Sequence, residues 1–431
     1  MREFADGHSF YAVAVCGINP STAIQGLFYF RGYYMTRREK RFLRRKEKRE
    51  SRRSSFLNEY DKYSIIFDRN NLFQAAELAK KNVLWKASVQ NWSIHQLLET
   101  ERLHRDLLAR RDVRKGFSKF VICERGKQRN ISAVRFYERV AQKCLCQKVL
   151  YPVYTRSLIY DNAASQKGKG VKFAMDRFIT HLRRHFRRHE RQGYVLLIDF
   201  KGYFENIDHE ALKRIYRKLF KDESLLLLID RFVDAYGVKG LGLGSETSQM
   251  HAIMFPNVID HAVTETLGER VYFGRYMDDS YIIAKEKETL LRALERIKEL
   301  CSELGITLSP KKTKIVGLKN CIKWLKTRIY ITESGKIIKK PCRDGVTRQR
   351  RKLKRQIELY NAGQIGVKEL ERSFESWAGS MKRRNARRTV FNMRLLLRKV
   401  KGYEKKRNRS KNKCLQQRAT TKGLHRKKGS V

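Results

Sequence analysis

Acidic side chains are scarce in this sequence. Only 44 Asp and Glu stand against 96 Lys and Arg, leaving a formal charge of +52. A chain this basic repels itself unless it meets a polyanion, and nucleic acid is the usual one. Ribosomal or chromatin-type basicity is the minority reading that the charge alone leaves open. A membrane-surface partner would need a basic helix with a clean apolar face, and none is legible. Long apolar runs are missing too: residues 10–30 are moderately apolar but broken by glycines, a proline and polar residues, too weak for a span. The eight cysteines are scattered, and the one close pair, Cys144–Leu145–Cys146, does not have zinc-knuckle spacing. With no secretory signal, this reads as a reduced, cytoplasmic protein. No internal repeat is present. The Gly/Lys loop at 166–170 lacks the G-x-x-x-x-G-K-[ST] spacing of a Walker loop. The alternating glycines at 240–244 follow no suitable strand, so they are not a dinucleotide loop.

What is present is ordinary globular material, 41% hydrophobic and 11% aromatic over 431 residues, enough for two or three packed subdomains. The chain is organised around residues 271–285, VYFGRYMDDSYIIAK. Two β-rich runs flank Asp278–Asp279, which predicts a strand–turn–strand unit with an acidic tip. A solvated turn in which Asp merely suits the tight backbone is the plain alternative. A second segment weighs against it: GYVLLIDFKGYFENIDHEAL, residues 193–212, in which a five-residue apolar run ends at Asp199. A carboxylate where a buried strand stops, followed by Phe200, Tyr203 and Phe204, marks a site. Paired carboxylates of this kind suit a hard divalent cation.

IDFKGYFENIDH and YMDD together resemble the palm motifs of prokaryotic reverse transcriptases, the lineage of group II intron, diversity-generating retroelement and stand-alone defence enzymes. The resemblance extends over residues 60–396. It implies an α+β, right-hand polymerase architecture of fingers, palm and helical thumb. It implies Asp199, Asp278 and Asp279 as catalytic carboxylates holding two magnesium ions (manganese as a substitute), with the Phe200 carbonyl beside them. Phe204 matches the steric-gate aromatic beneath the sugar. Lys312 matches the lysine that protonates the leaving pyrophosphate. Template RNA, a primer or cDNA strand and dNTPs follow as partners, with a small basic accessory protein or a dedicated non-coding RNA in particular branches.

The rest of the chain fits that frame. Residues 1–34 are Gly-rich and nearly uncharged: either an irregular arm or sequence upstream of a natural start at Met35, the second being preferred. Residues 35–59 form a basic arm with helix-compatible Glu positions. Fingers are expected at 60–190, beginning with a helical stretch from 60 to 92. Within them FSKFVICERGKQRNISAV reads as a hairpin whose turn carries Arg125, Lys127 and Arg129, cations suited to a triphosphate. Glu138–Gln142 resembles the family's D-R-x-x-Q helix, with Glu for Asp. Lys167 and Lys169, in a Gly/Lys loop before an amphipathic helix, are candidates for template backbone. His181, His185 and His189, spaced by four among arginines, read as a basic helical face.

The palm is expected at 191–335, with one helical stretch over 205–236. There Leu243–Gly244 and Ser248–Gln249 match a turn that in the family lies under the nascent pair; this variant resembles diversity-generating and some defence-type enzymes. Trp324 falls in the primer-grip region, where Trp-Leu-Lys replaces the usual Phe-Leu-Gly. A thumb at 346–400 opens with crowded cations including Arg348 and Arg351, for duplex backbone. Residues 401–431 form a basic tail, expected to be disordered. Two other readings stand beside the polymerase: a non-catalytic RNA-binding protein on a degenerate palm, and a group II intron-type maturase. The second is weakened by the missing zinc-binding cluster and Ser-Pro signature. A viral RNA polymerase is disfavoured by Phe204 and Met277.

Overall fold

The computed structural model describes residues 37–124, 126–266 and 271–398. Arg125, the proposed arm at 1–34 and the basic tail lie outside them. The chain divides into two compact units, Met1–Asp61 and Lys62–Val431. Within the described part of the first, Arg37–Tyr60 is a single 24-residue helix; the Glu positions are compatible with a helix but equally fit a solvated tail.

The second unit is α+β. Its central feature is a four-stranded antiparallel sheet in the order β4-β5-β3-β6, built from β3 (Tyr194–Asp199), β4 (Tyr272–Tyr276), β5 (Asp279–Ala284) and β6 (Lys314–Gly317). β3 lies in the middle, and Val195–Ile198 are all buried, which is why the segment reads as one apolar run rather than alternating. Alternate residues still serve different faces. Val195 and Leu197 of β3, with Tyr281 and Ile283 of β5, pack under Phe178 and Leu182 of helix Val171–His189. The opposite face meets helices Asn257–Thr266 and Lys287–Glu303. Burying each large aliphatic side chain here contributes about 1.5–3 kcal/mol.

Two further sheets flank this one. β1 (Phe117–Glu124) and β2 (Lys127–Val134) form the expected hairpin. β7 (Ile322–Trp324), β8 (Thr327–Ile331) and β9 (Ile337–Pro341) form a three-stranded sheet. The predicted helical stretch over 60–92 is three helices, Ser64–Phe67, Arg69–Lys80 and Ala87–Ile94. That over 205–236 is also three: Tyr203–Asn206, His209–Tyr216 and Glu223–Asp234. The breaks have local causes, because Asp208 accepts from the Ala211 N–H and Asp222 from Ser224 and Leu225, each starting a new helix. The C-terminal region is a helical trio, Arg343–Asn361, Val367–Met381 and Arg387–Arg398, around Leu353, Phe374, Met393 and Leu397.

The histidine reading needs correction. His181 and His185 are buried while Arg183, Arg184, Arg187 and Arg188 are not. Spacing by four puts the two histidines on the stripe of Phe178 and Leu182, facing inward. His181 Nδ1 lies 2.9 Å from the Tyr281 hydroxyl, and burial pushes its pKa down to about 4, so it is a neutral core residue.

Candidate active site

Antiparallel pairing of β3 and β5 sets Asp199 directly opposite Asp279. Asp278 sits in the two-residue turn between β4 and β5, with Tyr276 paired to Asp279. Three carboxylates separated by nearly eighty residues of chain therefore meet at one end of the sheet. Asp199 is buried and the other two are half-buried. Burial first, then the charges of Asp278 and Asp199, push the Asp279 pKa up to about 7. Burial, with Asp199, also raises that of Asp278. Lys312 answers part of this negative charge, its Nζ donating to Asp199 Oδ1 at 2.6 Å. Burial works against the Lys312 ammonium, but Asp199 and its neighbours hold its pKa above the usual lysine value. Arg129, on β2, also lowers the cost of ionising Asp278, so the hairpin's cation faces the acidic tip.

The tip is strained and clamped. Met277 has φ 58°, a left-handed conformation that costs a non-glycine residue about 1–3 kcal/mol. Its carbonyl accepts from Arg275 Nη1 at 3.0 Å. Arg275 is itself 1% exposed, grips Asp260 through Nε and Nη2 at 2.7–2.9 Å, and donates to the Ile253 carbonyl. A buried guanidinium thus ties the acidic turn to the helices behind the sheet. Gly274 has a complementary role: a Cβ there would lie 2.6 Å from the Tyr281 hydroxyl, so the ring can cross the hairpin only because residue 274 has no side chain. Sequence reasoning missed Arg275 and Asp260. Its available signal was a cation inside an aromatic strand three residues before the Asp pair.

On the other side, Phe200 is buried and bridged to Leu308, and the Asp199 carbonyl accepts from Ser309 N–H at 2.7 Å. Gly202, at φ 54°, turns the chain into the short helix carrying Phe204. The Phe204 carbonyl accepts from Leu241 N–H at 2.7 Å, and the Leu243 carbonyl accepts from Ser132 N–H of β2 at 3.0 Å. The loop with Leu243 and Gly244 therefore spans from the Phe204 turn to the hairpin. Of the hairpin cations, Arg129 is described, Lys127 opens β2, and Arg125 lies outside the described residues.

The nucleic-acid candidates divide. Lys167 and Gln249 line a cavity of about 410 Å³ with Arg139, Lys143 and Gly244. Lys169 instead donates to the carbonyls of Tyr160 and Asn162 at 2.8 and 3.1 Å, bracing its own loop. Ser248 is 1% exposed. Trp324, 4% exposed, packs against Phe178 and Tyr281 in the core. The turn that follows it, Leu325–Lys326, holds two non-glycine residues at φ 41° and 59°. Arg348 and Arg351 are exposed on helix Arg343–Asn361, with Arg350, Lys352, Lys354 and Arg355 along the same helix.

The donor set suits a hard cation: it offers oxygen ligands only, at a tip where burial and then the neighbouring carboxylates push the Asp279 pKa up to about 7. Among the described residues, no group of three His, Cys, Asp or Glu side chains is already placed to hold a metal ion. No helix among the described residues is long and apolar enough to cross a membrane.

A family model described as reverse transcriptase (RNA-dependent DNA polymerase) matches residues 114–329, half of the chain. No curated protein matches the sequence. Among solved structures, apo telomerase from Candida tropicalis truncated of its C-terminal domain is similar at 15% identity and TM-score 0.41, over 52% of this chain and 55% of that one. Telomerase from Candida albicans in complex with a fragment of telomeric RNA gives 11% and 0.42, over 67% and 59%. A further structure of apo telomerase from Candida tropicalis gives 14% and 0.41, over 64% and 61%. The chain thus spans less than two thirds of each of these structures.

Proposed function

The chain belongs to the reverse transcriptase (RNA-dependent DNA polymerase) family, and from that premise we propose that it makes DNA on an RNA template at the site bounded by Asp199, Asp278 and Asp279. The observation that carries the reading is the convergence of these carboxylates at the ends of β3 and β5, faced by Arg129 and Lys312. Asp199 and Asp278, with Asp279 and the Phe200 carbonyl alongside, would hold Mg²⁺, with Mn²⁺ able to replace it. When bound, the metal supplies Lewis-acid stabilisation of the charge developing on the transferred phosphoryl group.

The chain's own residues do the positioning. Phe204 stands beneath the nucleotide sugar and favours dNTPs. Arg129, with Lys127 and Arg125, meets the triphosphate, where charge-assisted contacts are strongest. Lys312, held protonated by Asp199, keeps a proton available at Nζ for departing pyrophosphate. The cations of helix Arg343–Asn361 suit duplex backbone, and Lys167 and Gln249 suit template.

The motif variants favour a prokaryotic enzyme, of a retroelement or an anti-phage defence system, working with a template RNA and, in some branches, an accessory protein. The test is primer extension on a defined RNA template with dNTPs, comparing wild type with Asp278→Ala. Wild type should extend and the variant should not. Equal extension by both, or none by wild type under any metal, would leave a basic RNA binder as the better description.

A further inference from the structure

Four buried polar side chains from two distant segments form one chain of hydrogen bonds beside this site. Glu138 and Gln142 belong to helix Phe136–Leu145, and Ser245 and Thr247 to the start of helix Glu246–Met254. All four are 1–2% exposed. Gln142 Nε2 donates to Glu138 Oε1 at 2.8 Å, and the other Glu138 oxygen accepts from Lys115 N–H at 3.3 Å. Gln142 Oε1 accepts from the Ser245 hydroxyl at 2.7 Å and lies 3.3 Å from the Thr247 hydroxyl, which is itself hydrogen-bonded to Ser245 Oγ at 2.6 Å. The order is dictated by chemistry. Both Glu138 oxygens accept here, so Glu138 takes the Gln142 amide nitrogen and leaves the Gln142 carbonyl for the hydroxyls.

Ser245 also ends the loop of residues 240–245, whose other anchors are backbone bonds and the His209 ring, Nε2 of which lies 2.7 Å from the Gly240 carbonyl. Gly240 N–H donates to Ile207, Leu241 N–H to Phe204, and the Leu243 carbonyl accepts from Ser132 of β2. The loop is therefore held on three sides: by the turn bearing Phe204, by the hairpin bearing Arg129, and by Gln142.

We propose that Gln142 is a positioning residue for nucleotide selection, fixing through Ser245 and Thr247 the loop that borders both Phe204 and the fingers hairpin. The inference rests on the polymerase reading above. A loop released at its Ser245 end would widen the space between gate and hairpin, so nucleotide binding and sugar discrimination should suffer before turnover does.

The test uses the full chain. Gln142→Leu removes all of these bonds, to Glu138, Ser245 and Thr247, at nearly constant volume. The exchange Glu138→Gln with Gln142→Glu rebuilds them in reverse, since the amide introduced at position 138 can donate to a carboxylate at 142 that accepts from both hydroxyls. On a defined RNA template with a DNA primer, Gln142→Leu should raise the KM for dTTP about tenfold, the loss of one buried hydrogen-bonding partner. Its kcat should stay within about threefold, UTP should be rejected less well, and the exchange should restore the wild-type KM. Amide exchange over residues 240–248 should quicken in Gln142→Leu and recover in the exchange variant, whether or not the protein polymerises. Unchanged dTTP KM, unchanged amide exchange, or an exchange variant no better than Gln142→Leu would overturn the proposal. Absence of wild-type polymerisation would instead overturn the polymerase reading, and the amide exchange would still judge the placement of the loop.

Discussion

The Glu138 carboxyl offers a stability measurement whose sign is fixed in advance. Its pKa is raised from the ordinary 4.5 to about 6, chiefly by burial and against the pull of the Lys115 N–H, Gln142 and Arg114. The fold therefore prefers the neutral acid. Below pH 4.5 both folded and unfolded chains carry the proton and nothing is lost. Between 4.5 and 6 the unfolded chain ionises first, and stability falls. Above 6 the full cost is present. Moving from 4.5 to about 6 corresponds to about 2 kcal/mol. Glu138→Gln keeps a neutral group of the same shape at every pH. The variant should be more stable than wild type by about 1–2 kcal/mol at about pH 8 and within about 0.5 kcal/mol of it at about pH 4. Urea unfolding of the full chain, followed by tryptophan fluorescence at unit pH steps, reads this directly, with the denaturant slope checked for constancy. A gain of equal size at the acidic and alkaline ends would mean the carboxylate's charge is not its source. A loss at the alkaline end would mean the ionised form is the one the fold uses.

Asp278→Ala should lower RNA-templated dNTP incorporation at least about a thousandfold, as loss of a group stabilising transition-state charge does, while leaving the melting temperature undiminished; primer extension and a thermal melt on one preparation check both. Arg275→Met should destabilise by about 3–5 kcal/mol, because Asp260 would remain buried without its partner; a chemical denaturation midpoint unchanged from wild type would show that the clamp on the acidic turn is dispensable. Lys326→Gly should stabilise the β7–β8 turn by about 0.5–1 kcal/mol, since the second turn residue at φ 59° suits glycine; calorimetry decides, and a loss of stability would count against strain in that turn.

Much of this architecture was legible because its signals are local. The strand ending at Asp199, the hairpin of β4 and β5 and the hairpin of β1 and β2 each carry their periodicity within a short stretch of chain. The breaks inside residues 205–236 were also local, with Asp208 and Asp222 each heading a helix, but a caps-first reading was needed to see them. The unread features depend on what the chain meets after folding. Trp324 sits in a β-prone run that serves a core or a groove equally well, and only Phe178 and Tyr281 show which. His181 and His185 share spacing with four arginines, and burial, which no spacing reports, separates them.

Arg275 makes the same point at the centre of the site. By charge it is one more of 96 cations, yet it is among the most buried side chains in the protein. Its ion pair with Asp260 offsets the desolvation of both groups. Its remaining donor restrains the Met277 carbonyl, immediately before Asp278. The strain at Met277 is therefore opposed from inside the core rather than relieved by a glycine in the turn. A glycine would give the acidic tip more conformations to sample, whereas a buried guanidinium holds it to one. Carboxylates held this close need that kind of support, because Lys312 and Arg129 offset only part of the cost of burying them together.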